Sequence, residues 1–439
     1  MPSPYISNTE EDRRAMLAAI GVVDVVELFT DIPDGFRNPT LDLPPSLSEL
    51  EVKRELGRLA ARNTSLEDIP SFMGAGSYRH FIPAVVGHCI ARNELCTSYT
   101  PYQPEVSQGT LQATYEYQSL ICLLTGMDVS NGGMYDGATA LAEAALMACR
   151  VTGRHRVAVL DTVNPTYRQV LATYARGQGI PIDTLAGIPD SLGEDVACLL
   201  VQQPNFFGCL EDVARAERAA HAIGGLLVVS VDPISLGLLR PPGDYGADIV
   251  VGEGQPLGVP LNFGGPYLGI FACREQYLRQ IPGRLVGRTR DARGEVGYVM
   301  TLQTREQHIR RERATSNICT SETLVAIAAA VYLAAMGKQG LRQVAEHCYH
   351  KAHYAAAQIA RLPGFSLAYD RPFFKEFVVR CPVSPAEVNR RLLERGIIGG
   401  LDVSSLVENG MLLCVTEMNT REEIDRLVSE LHGIGGERR

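Results

Sequence analysis

Strongly apolar runs alternate with helical segments between residues 138 and 273, and this alternation restricts the fold more than any other feature of the chain. The pattern predicts helices at 138–150, 165–176 and 210–223, and strands at 156–161, near Ile182, and at 196–203, 226–231, 248–251 and 268–273. Runs of Val, Leu and Ile separated by helices are typical of parallel strands that are buried on both faces of a sheet. The sequence therefore predicts an α/β domain with a doubly wound, mainly parallel sheet.

The flanking sequences predict two smaller parts. Residues 1–62 contain two predicted helices, the first with Ser7 or Asn8 as its N-cap, and form an N-terminal helical arm. After residue 320 come two predicted helices, up to 336 and from 341 to 361, and then short segments in the order β-β-α-β-α. The apolar stretch 324–336 is too short to span a bilayer and predicts a buried helix. We therefore divide the chain into the arm at 1–62, a large α/β domain at 63–320 and a small α+β domain at 321–439.

The overall charge argues against two broad classes of function. The 439 residues carry a net charge of −9, whereas general nucleic-acid and membrane-surface binders need a basic surface. The 11 cysteines include no C-x-x-C pair, and most lie in apolar runs, where a thiol acts as a small hydrophobic group. Together with an acidic rather than arginine-rich start, these features lead us to expect a reducing, cytoplasmic compartment.

Asp136 and Thr139 lie at the start of the helix predicted at 138–150. The free N–H groups and the positive dipole end of a helix N-terminus can bind a phosphate. The same residue types are also common N-caps, so a phosphate site and a plain cap both remain open.

Asp232 follows the strand predicted at 226–231 and precedes Pro233. An acid at the carboxyl end of a parallel strand is well placed for a ligand site. Asp-Pro also forms turns, and the residues alone leave both interpretations open.

A loop that carries tyrosines and an acid around two prolines precedes another helix. It contains Tyr99, Tyr102 and Glu105. A rigid loop of this kind can present polar side chains to a neighbouring site, although a capped surface loop has a similar composition. We favour the functional interpretation because the polar groups outnumber those that capping needs.

An arginine-rich segment at 308–320 joins the two larger predicted domains and ends with Asn317 and Thr320 among its polar residues. Arginines suit carboxylates or phosphates, but a salt-bridged hinge is an equal alternative. Farther along, His347 and His350 share a predicted helix without an H-E-x-x-H motif, and we therefore expect no metal site.

Several long segments together resemble one enzyme family. They are YISNTEEDRRAMLAAIGV, FMGAGSYRHFIPAVV, SYTPYQPEVSQGTLQATYEYQ with MYDGATALAEAALMA, GADIVVGEGQPLGVPLNFGGPYLGIFA, and TLQTREQHIRRERATSNICT. The chain resembles the pyridoxal-phosphate (PLP)-dependent glycine decarboxylases, the P-proteins of the glycine cleavage system, and within them subunit 1, the alpha subunit. These co-linear segments extend over nearly the whole chain.

The resemblance implies a fold-type-I PLP-dependent transferase-like fold, with a mainly parallel, seven-stranded type of sheet in the large domain. In that family the lysine that holds PLP belongs to the second half or subunit, within a His-Lys dipeptide. Here Gln255 and Pro256 stand at the corresponding positions, and proline cannot form a Schiff base. The resemblance therefore implies that this chain does not hold PLP covalently, and that Asp136, Thr139 and Asp232 are degenerate cofactor-site positions.

The resemblance also implies partners and an activity. The partners are a lysine-bearing subunit 2, in a heterotetramer of two plus two, and a lipoylated H-protein. The implied activity is that of glycine dehydrogenase (aminomethyl-transferring): glycine is decarboxylated and its aminomethyl group passes to the lipoyl arm. Fold-type-I enzymes build their sites at a dimer interface, and we therefore expect Tyr99, Tyr102, Glu105, Asn317 and Thr320 to contribute to the partner's site.

Two alternatives remain open from the sequence. The chain could be a purely structural pseudoenzyme that supports a PLP enzyme, or an independent aminotransferase-like PLP enzyme that uses an unexpected lysine. Of its four lysines, Lys338, Lys351 and Lys375 fall in the predicted small domain, where no such lysine is expected.

Overall fold

The computed structural model describes residues 5–37 and 39–436 of the chain. The chain divides into two compact units, Met1–Thr64 and Ser65–Arg439. The helices are α1 (Glu10–Ile20), α2 (Glu49–Ala60), α3 (Ala84–Ile90), α4 (Asn93–Cys96), α5 (Gln108–Thr125), α6 (Gly137–Thr152), α7 (Pro165–Arg176), α8 (Val213–Ala222), α9 (Gln307–Arg310), α10 (Thr323–Ile359), α11 (Pro385–Glu394) and α12 (Arg421–Gly436). The strands are β1 (Val129–Ser130), β2 (Arg156–Leu160), β3 (Ile182–Leu185), β4 (Val196–Gln203), β5 (Leu226–Val231), β6 (Ile249–Glu253), β7 (Gly269–Cys273), β8 (Leu285–Arg290), β9 (Val296–Thr301), β10 (Ser366–Leu367), β11 (Glu376–Arg380), β12 (Leu401–Asp402) and β13 (Gly410–Cys414).

The first unit contains α1 and α2. The N-cap of α1 is Thr9, not Ser7 or Asn8 as predicted, because the Thr9 hydroxyl and the Asp12 carboxylate form a reciprocal capping box. An equivalent capping box begins α2 at Ser48. No residue of α2 is buried, so its apolar side chains are left without a core. The unit ends two residues beyond the predicted arm at 1–62.

A seven-stranded sheet lies at the centre of the second unit, as far as the described residues show. Its strand order is β1-β7-β6-β5-β4-β2-β3. The neighbours from β6 to β3 are parallel, whereas β7 and β1 run antiparallel to their neighbours. The mainly parallel α/β sheet is therefore confirmed. Every residue of β5, β6 and β7 is buried, which explains why these strands show no alternation of apolar and polar residues.

A four-stranded antiparallel sheet follows in the order β10-β11-β13-β12. It shares an apolar core with α11 and α12, to which Val388, Leu392, Leu427 and Leu431 contribute. The predicted mixture of strands and helices is present, but β12 is a strand that the predicted order β-β-α-β-α lacks. Both sheets lie within one compact unit, so the predicted domain boundary at residue 320 stays a prediction.

The two apolar helices that the sequence predicts before this sheet are one element, α10, with a break in the middle. Gly337 has φ 62° and ψ −179°, a backbone conformation that glycine adopts readily. By length and composition α10 could cross a membrane, and no other helix of the described residues could. Core helices pass the same test, and half of its most apolar stretch is buried inside the protein.

The sequence does not predict the β8–β9 hairpin. Its strands pair from Leu285 opposite Thr301 to Arg290 opposite Val296. Gln118 of α5 holds the start of the hairpin, because its side-chain amide donates to the Val286 carbonyl and accepts from the Val286 N–H. The hairpin thereby brings the residue before it, Arg284, next to the loop that precedes α5.

Candidate functional site

The carboxyl ends of β5 and β6 lie side by side, since Val231 is paired with Gly252. Asp232 therefore lies beside the run that begins with Glu253. Carboxyl ends of neighbouring parallel strands are the usual place for ligand sites in α/β folds. The predicted cofactor-site positions are thus brought together in this structure, and their contacts decide what the pocket can hold.

Gln255 fills the position at which the sequence lacks a lysine. It is 1% exposed, and its side-chain amide is fully engaged. The amide oxygen accepts from the Tyr78 N–H at 2.9 Å, and the amide nitrogen donates to the Tyr78 carbonyl at 2.9 Å and to the Val259 carbonyl at 2.7 Å. Pro256 beside it is also buried. This position therefore holds the chain at Tyr78 and offers no amine.

Glu253 pairs with the helix N-terminus that the sequence proposes as a phosphate site. One carboxylate oxygen accepts from the Gly137 N–H at 3.0 Å, and the other accepts from the N–H groups of Gln255 and Leu268. Burial raises the pKa of Glu253 to about 7. The chain's own carboxyl group therefore binds the first turn of α6.

Asp136 and Thr139 complete this cap. The Asp136 carboxylate accepts from the Thr139 N–H at 2.8 Å, and the Asp136 N–H donates to the Thr139 hydroxyl at 3.3 Å. Both residues are half-buried. Of the two interpretations left open by the sequence, these contacts fit the N-cap.

A lysine of the predicted small domain, Lys375, reaches this pocket as an ion-pair partner. Its ammonium lies 2.7 Å from the Asp232 carboxylate, and its side chain is 2% exposed. Lys375 directly precedes β11, and its carbonyl accepts from the Val415 N–H. An isolated antiparallel bridge pairs Phe373, two residues before Lys375, with Cys209 in the segment after β4. Burial is the largest single influence and lowers the pKa of Lys375, but the charge of Asp232, its hydrogen bond and the neighbouring thiols together raise that pKa above its ordinary value.

Lys375 continues into a buried hydrogen-bonded chain. Its ammonium lies 3.0 Å from His80 Nε2, and His80 Nδ1 lies 2.7 Å from Glu417 Oε2. Burial and the charge on Lys375 both lower the pKa of His80, so the imidazole is neutral and donates to Glu417. Burial opposes ionisation of Glu417, but its interaction with His80 and the hydrogen bond from the Phe81 N–H together hold the pKa of this carboxyl at about 2. Lys375 and Glu417 are therefore charged, and each has a partner within this chain.

His80, Glu417 and Cys348 lie close enough to ligate one metal ion. The lone pair of His80 Nε2 already faces the Lys375 ammonium, and Cys348 Sγ lies 3.3 Å from Glu417. A cation here would lie against the ammonium, so we assign no metal to this group.

Tyr78 closes the pocket over Lys375. The ammonium lies 3.5 Å from the centre of its ring, and the Tyr78 hydroxyl donates to Glu376 at 2.8 Å. Glu376 also accepts from the Ala75 N–H at 2.6 Å. Burial raises the pKa of Glu376 to about 7. Hydrogen bonds thus hold the segment from Ala75 to His80 to Glu376 of β11 and to Gln255, which follows β6.

The chain is similar to known proteins over nearly its whole length. A family model described as "Glycine cleavage system P-protein" matches residues 3–431. A protein from Thermomicrobium roseum named probable glycine dehydrogenase (decarboxylating) subunit 1 is 58% identical over 441 residues, which cover 97% of this chain and 98% of the relative. The chain belongs to the glycine cleavage system P-protein family. A crystal structure of glycine decarboxylase (P-protein) in inhibitor-bound form matches it with a TM-score of 0.93 at 45% identity, over 98% of this chain and 100% of that chain.

More distant matches extend the fold beyond the P-protein family. A C-DES mutant with glycine covalently linked to the PLP cofactor has a TM-score of 0.61 at 15% identity, over 84% of this chain and 97% of that chain. At this identity the likeness concerns the fold alone, which is that of fold-type-I PLP-dependent enzymes. The predicted fold class is thereby confirmed.

The pocket of this P-protein chain does not fit PLP. The carboxylate of Asp232 is neutralised by Lys375, Gln255 has no amine, and the first N–H of α6 is bound to Glu253. Beside these residues remains a cavity of about 470 Å³, and three of its lining residues are Asp136, Glu253 and Glu322. None of the described residues that line it is basic, so a phosphate would meet only acids and neutral groups.

The loops predicted to face a partner's site are exposed and lie together. Tyr99 is 76% exposed, Tyr102 is half exposed, and Glu105 is also exposed. In the second loop Asn317 is exposed and Thr320 is half-buried. Four of these five residues are exposed, as a contribution to another subunit requires.

Arg284 connects the two loops, and sequence reasoning missed it. Its guanidinium carbon lies 5.7 Å from the centre of the Tyr102 ring, and Nη2 donates to the Cys319 carbonyl at 2.8 Å. Tyr135 accepts from the Cys319 N–H at 3.1 Å and holds the same loop. An isolated arginine between a Pro-Gly turn and an apolar run gave no signal in the sequence, and neither did Tyr78, whose partners lie far away along the chain.

Proposed function

We propose that this chain is the non-lysine-bearing subunit of a two-subunit glycine decarboxylase. With a lysine-bearing subunit 2 it decarboxylates glycine and transfers the aminomethyl group to the lipoyl arm of the H-protein. The observation that carries the proposal is the filled pocket: a member of the P-protein family whose own Asp232 is paired with Lys375 needs a second chain to hold PLP.

The contribution of this chain to catalysis lies in its two exposed loops. Tyr99, Tyr102 and Glu105 come from one loop, and Asn317 and Thr320 come from the other. The exposure of Tyr99, Tyr102, Glu105 and Asn317, and the contacts of Arg284 with Tyr102 in one loop and the Cys319 carbonyl in the other, support a role at the mouth of the partner's site. There they would orient the substrate and exclude water.

The assembly that we propose is a cytoplasmic heterotetramer of two plus two subunits. A name that includes "subunit 1", carried by the relative from Thermomicrobium roseum, supports a second subunit. The exposed apolar side chains of the first unit, among them Phe29, Phe36 and Leu56, support a large interface.

The experiment that tests the function compares this chain alone, the lysine-bearing subunit alone and their mixture. We expect release of CO2 from glycine, in the presence of lipoylated H-protein and PLP, from the mixture only. Reduction with borohydride should attach PLP to the partner and leave this chain unlabelled. Turnover by this chain alone would overturn the proposal and favour the independent PLP enzyme.

The lysines of the described chain give that alternative little support. Lys375 is paired with Asp232, and Lys351 donates to the carbonyls of Glu417 and Asn419 at 2.6 Å. The structural pseudoenzyme is tested separately by Tyr99→Phe and Tyr102→Phe. Unchanged turnover in an intact assembly would favour a purely structural role.

A further inference from the structure

Arg284 is a buried cation whose hydrogen bonds are incomplete within this chain. It is 7% exposed, and only Nη2 has a hydrogen-bond acceptor, the Cys319 carbonyl. Nε and Nη1 are buried and have no partner among the described residues. No carboxylate of the described residues forms an ion pair with this guanidinium.

Such an arrangement calls for an acceptor from outside the chain. A guanidinium stays protonated at any physiological pH, and its planar fork of donors matches carboxylate and phosphate oxygens. Buried polar groups of folded proteins nearly always have partners, and a buried cation without one is costly. The contrast with Lys375 is direct, because every polar neighbour of Lys375 belongs to this chain.

The surroundings of Arg284 indicate where that acceptor would arrive. The ring of Tyr102 lies against the guanidinium and is itself half exposed, so this side of Arg284 faces the surface of the chain. The hydroxyl of Thr100, in the same loop, is also buried without a partner. One unfilled group therefore belongs to the loop that we propose to face the partner's site, and the other lies against Tyr102 of that loop.

We propose that Arg284, assisted by the Thr100 hydroxyl, binds an anionic oxygen group of a small ligand in the assembled decarboxylase. The inference rests on the proposed function for the identity of the ligand, which is either the phosphate of PLP or the carboxylate of glycine. Both present oxygens to the guanidinium fork, and the experiment separates them. Tyr102 acts as the cover of this anion site.

The first test uses the isolated chain and inorganic phosphate as the probe. We expect phosphate to raise the thermal unfolding temperature of the wild-type chain more than chloride does at equal ionic strength. The Arg284→Gln variant should lose this difference while unfolding at the same or a higher temperature, because it removes an unpaired buried charge. A lower unfolding temperature, or an undiminished phosphate effect, would overturn the proposal and assign Arg284 a structural role.

The second test uses the complete two-subunit enzyme. Arg284→Gln should raise the PLP dissociation constant about tenfold or more if the ligand is the phosphate, or the glycine KM by a similar factor if it is the carboxylate. Arg284→Lys should retain part of the affinity, and Thr100→Val should cause a smaller loss. Arg288→Gln is the matched control, because Arg288 is an exposed arginine of β8, four residues after Arg284.

Each remaining outcome has a defined meaning. Loss of assembly with unchanged affinity for PLP and glycine would show that a side chain of the other subunit fills the fork, and would overturn the proposal. Unchanged assembly and unchanged affinity for PLP and glycine would show that an internal water fills the fork. This result would also overturn the proposal. If mixing the subunits gives no decarboxylation, the proposed function fails, whereas the phosphate test on the isolated chain still decides whether Arg284 binds an anion.

Discussion

The ion pair between Asp232 and Lys375 gives the sharpest prediction about stability. The two side chains are 11% and 2% exposed and lie 2.7 Å apart, so neither charge is solvated when its partner is removed. Removing one partner of a buried ion pair typically costs about 3–5 kcal/mol. We expect Lys375→Met to lower the free energy of unfolding by about this amount. Methionine retains much of the aliphatic stem and loses the charge.

The double variant distinguishes the charge from simple packing. Asp232→Asn combined with Lys375→Met removes both charges, and replacement of a whole buried ion pair is often nearly neutral. The double variant should therefore be about 2 kcal/mol or more closer to wild type than the sum of the two single variants predicts. Lys338→Met is the control, because Lys338 is an exposed lysine and should change stability by less than about 0.5 kcal/mol.

The measurement is urea unfolding of the isolated chain, followed by circular dichroism. A loss of less than about 1 kcal/mol for Lys375→Met, or strict additivity in the double variant, would refute the reasoning. Either result would mean that water enters the pocket and solvates these groups. The claim that the pocket is closed to PLP would then lose its physical basis.

Further predictions concern single groups. Burial raises the pKa of Glu376 from 4.5 to about 7. The stability that protonation of Glu376 provides is therefore present below pH 4.5 and is lost as the pH rises to 7. Glu376→Gln should reduce the fall in unfolding temperature between these two pH values. Gly208 has φ +83°, and a Cβ there would overlap the Glu376 carbonyl. Gly208→Ala should therefore lower the free energy of unfolding in urea by about 2 kcal/mol or more. The control Gly57→Ala, at a helical position with open space around it, should raise this free energy by up to about 1 kcal/mol. The buried hydroxyl of Tyr332 has no partner among the described residues, so Tyr332→Phe should leave thermal stability unchanged or raised, and a clear loss would reveal a missing acceptor.

The sequence predicts the large sheet well because its strands are buried on both faces. Strands such as β5 and β6 are continuous apolar runs between helices, and that pattern has few other interpretations. The β8–β9 hairpin escapes prediction because its strands are only partly buried and carry Arg288 and Arg290 on exposed positions. The N-cap of α1 is displaced to Thr9 because Ser7, Asn8 and Thr9 are all acceptable caps, and only the position of Asp12 selects one of them.

The candidate site shows where reasoning from sequence ends. Gln255 and Asp232 can be located because each follows a recognisable strand. Lys375 cannot, because its contact with His80 joins residues 295 positions apart and depends on the packing of two sheets. A lysine in the predicted small domain has no pattern that connects it to the end of β5.

The two sites of this chain differ in whether their polar groups are satisfied. In the pocket at the end of β5, Asp232, Lys375, His80 and Glu417 satisfy one another, so this part folds completely without a ligand. At Arg284 two buried donors have no partner among the described residues. Completed networks give stability, whereas a buried cation with unfilled donors is costly and indicates a partner from outside the chain. The remaining functional contribution of this chain should therefore be sought at Arg284 and the loops above it, and not in the pocket that its fold would suggest.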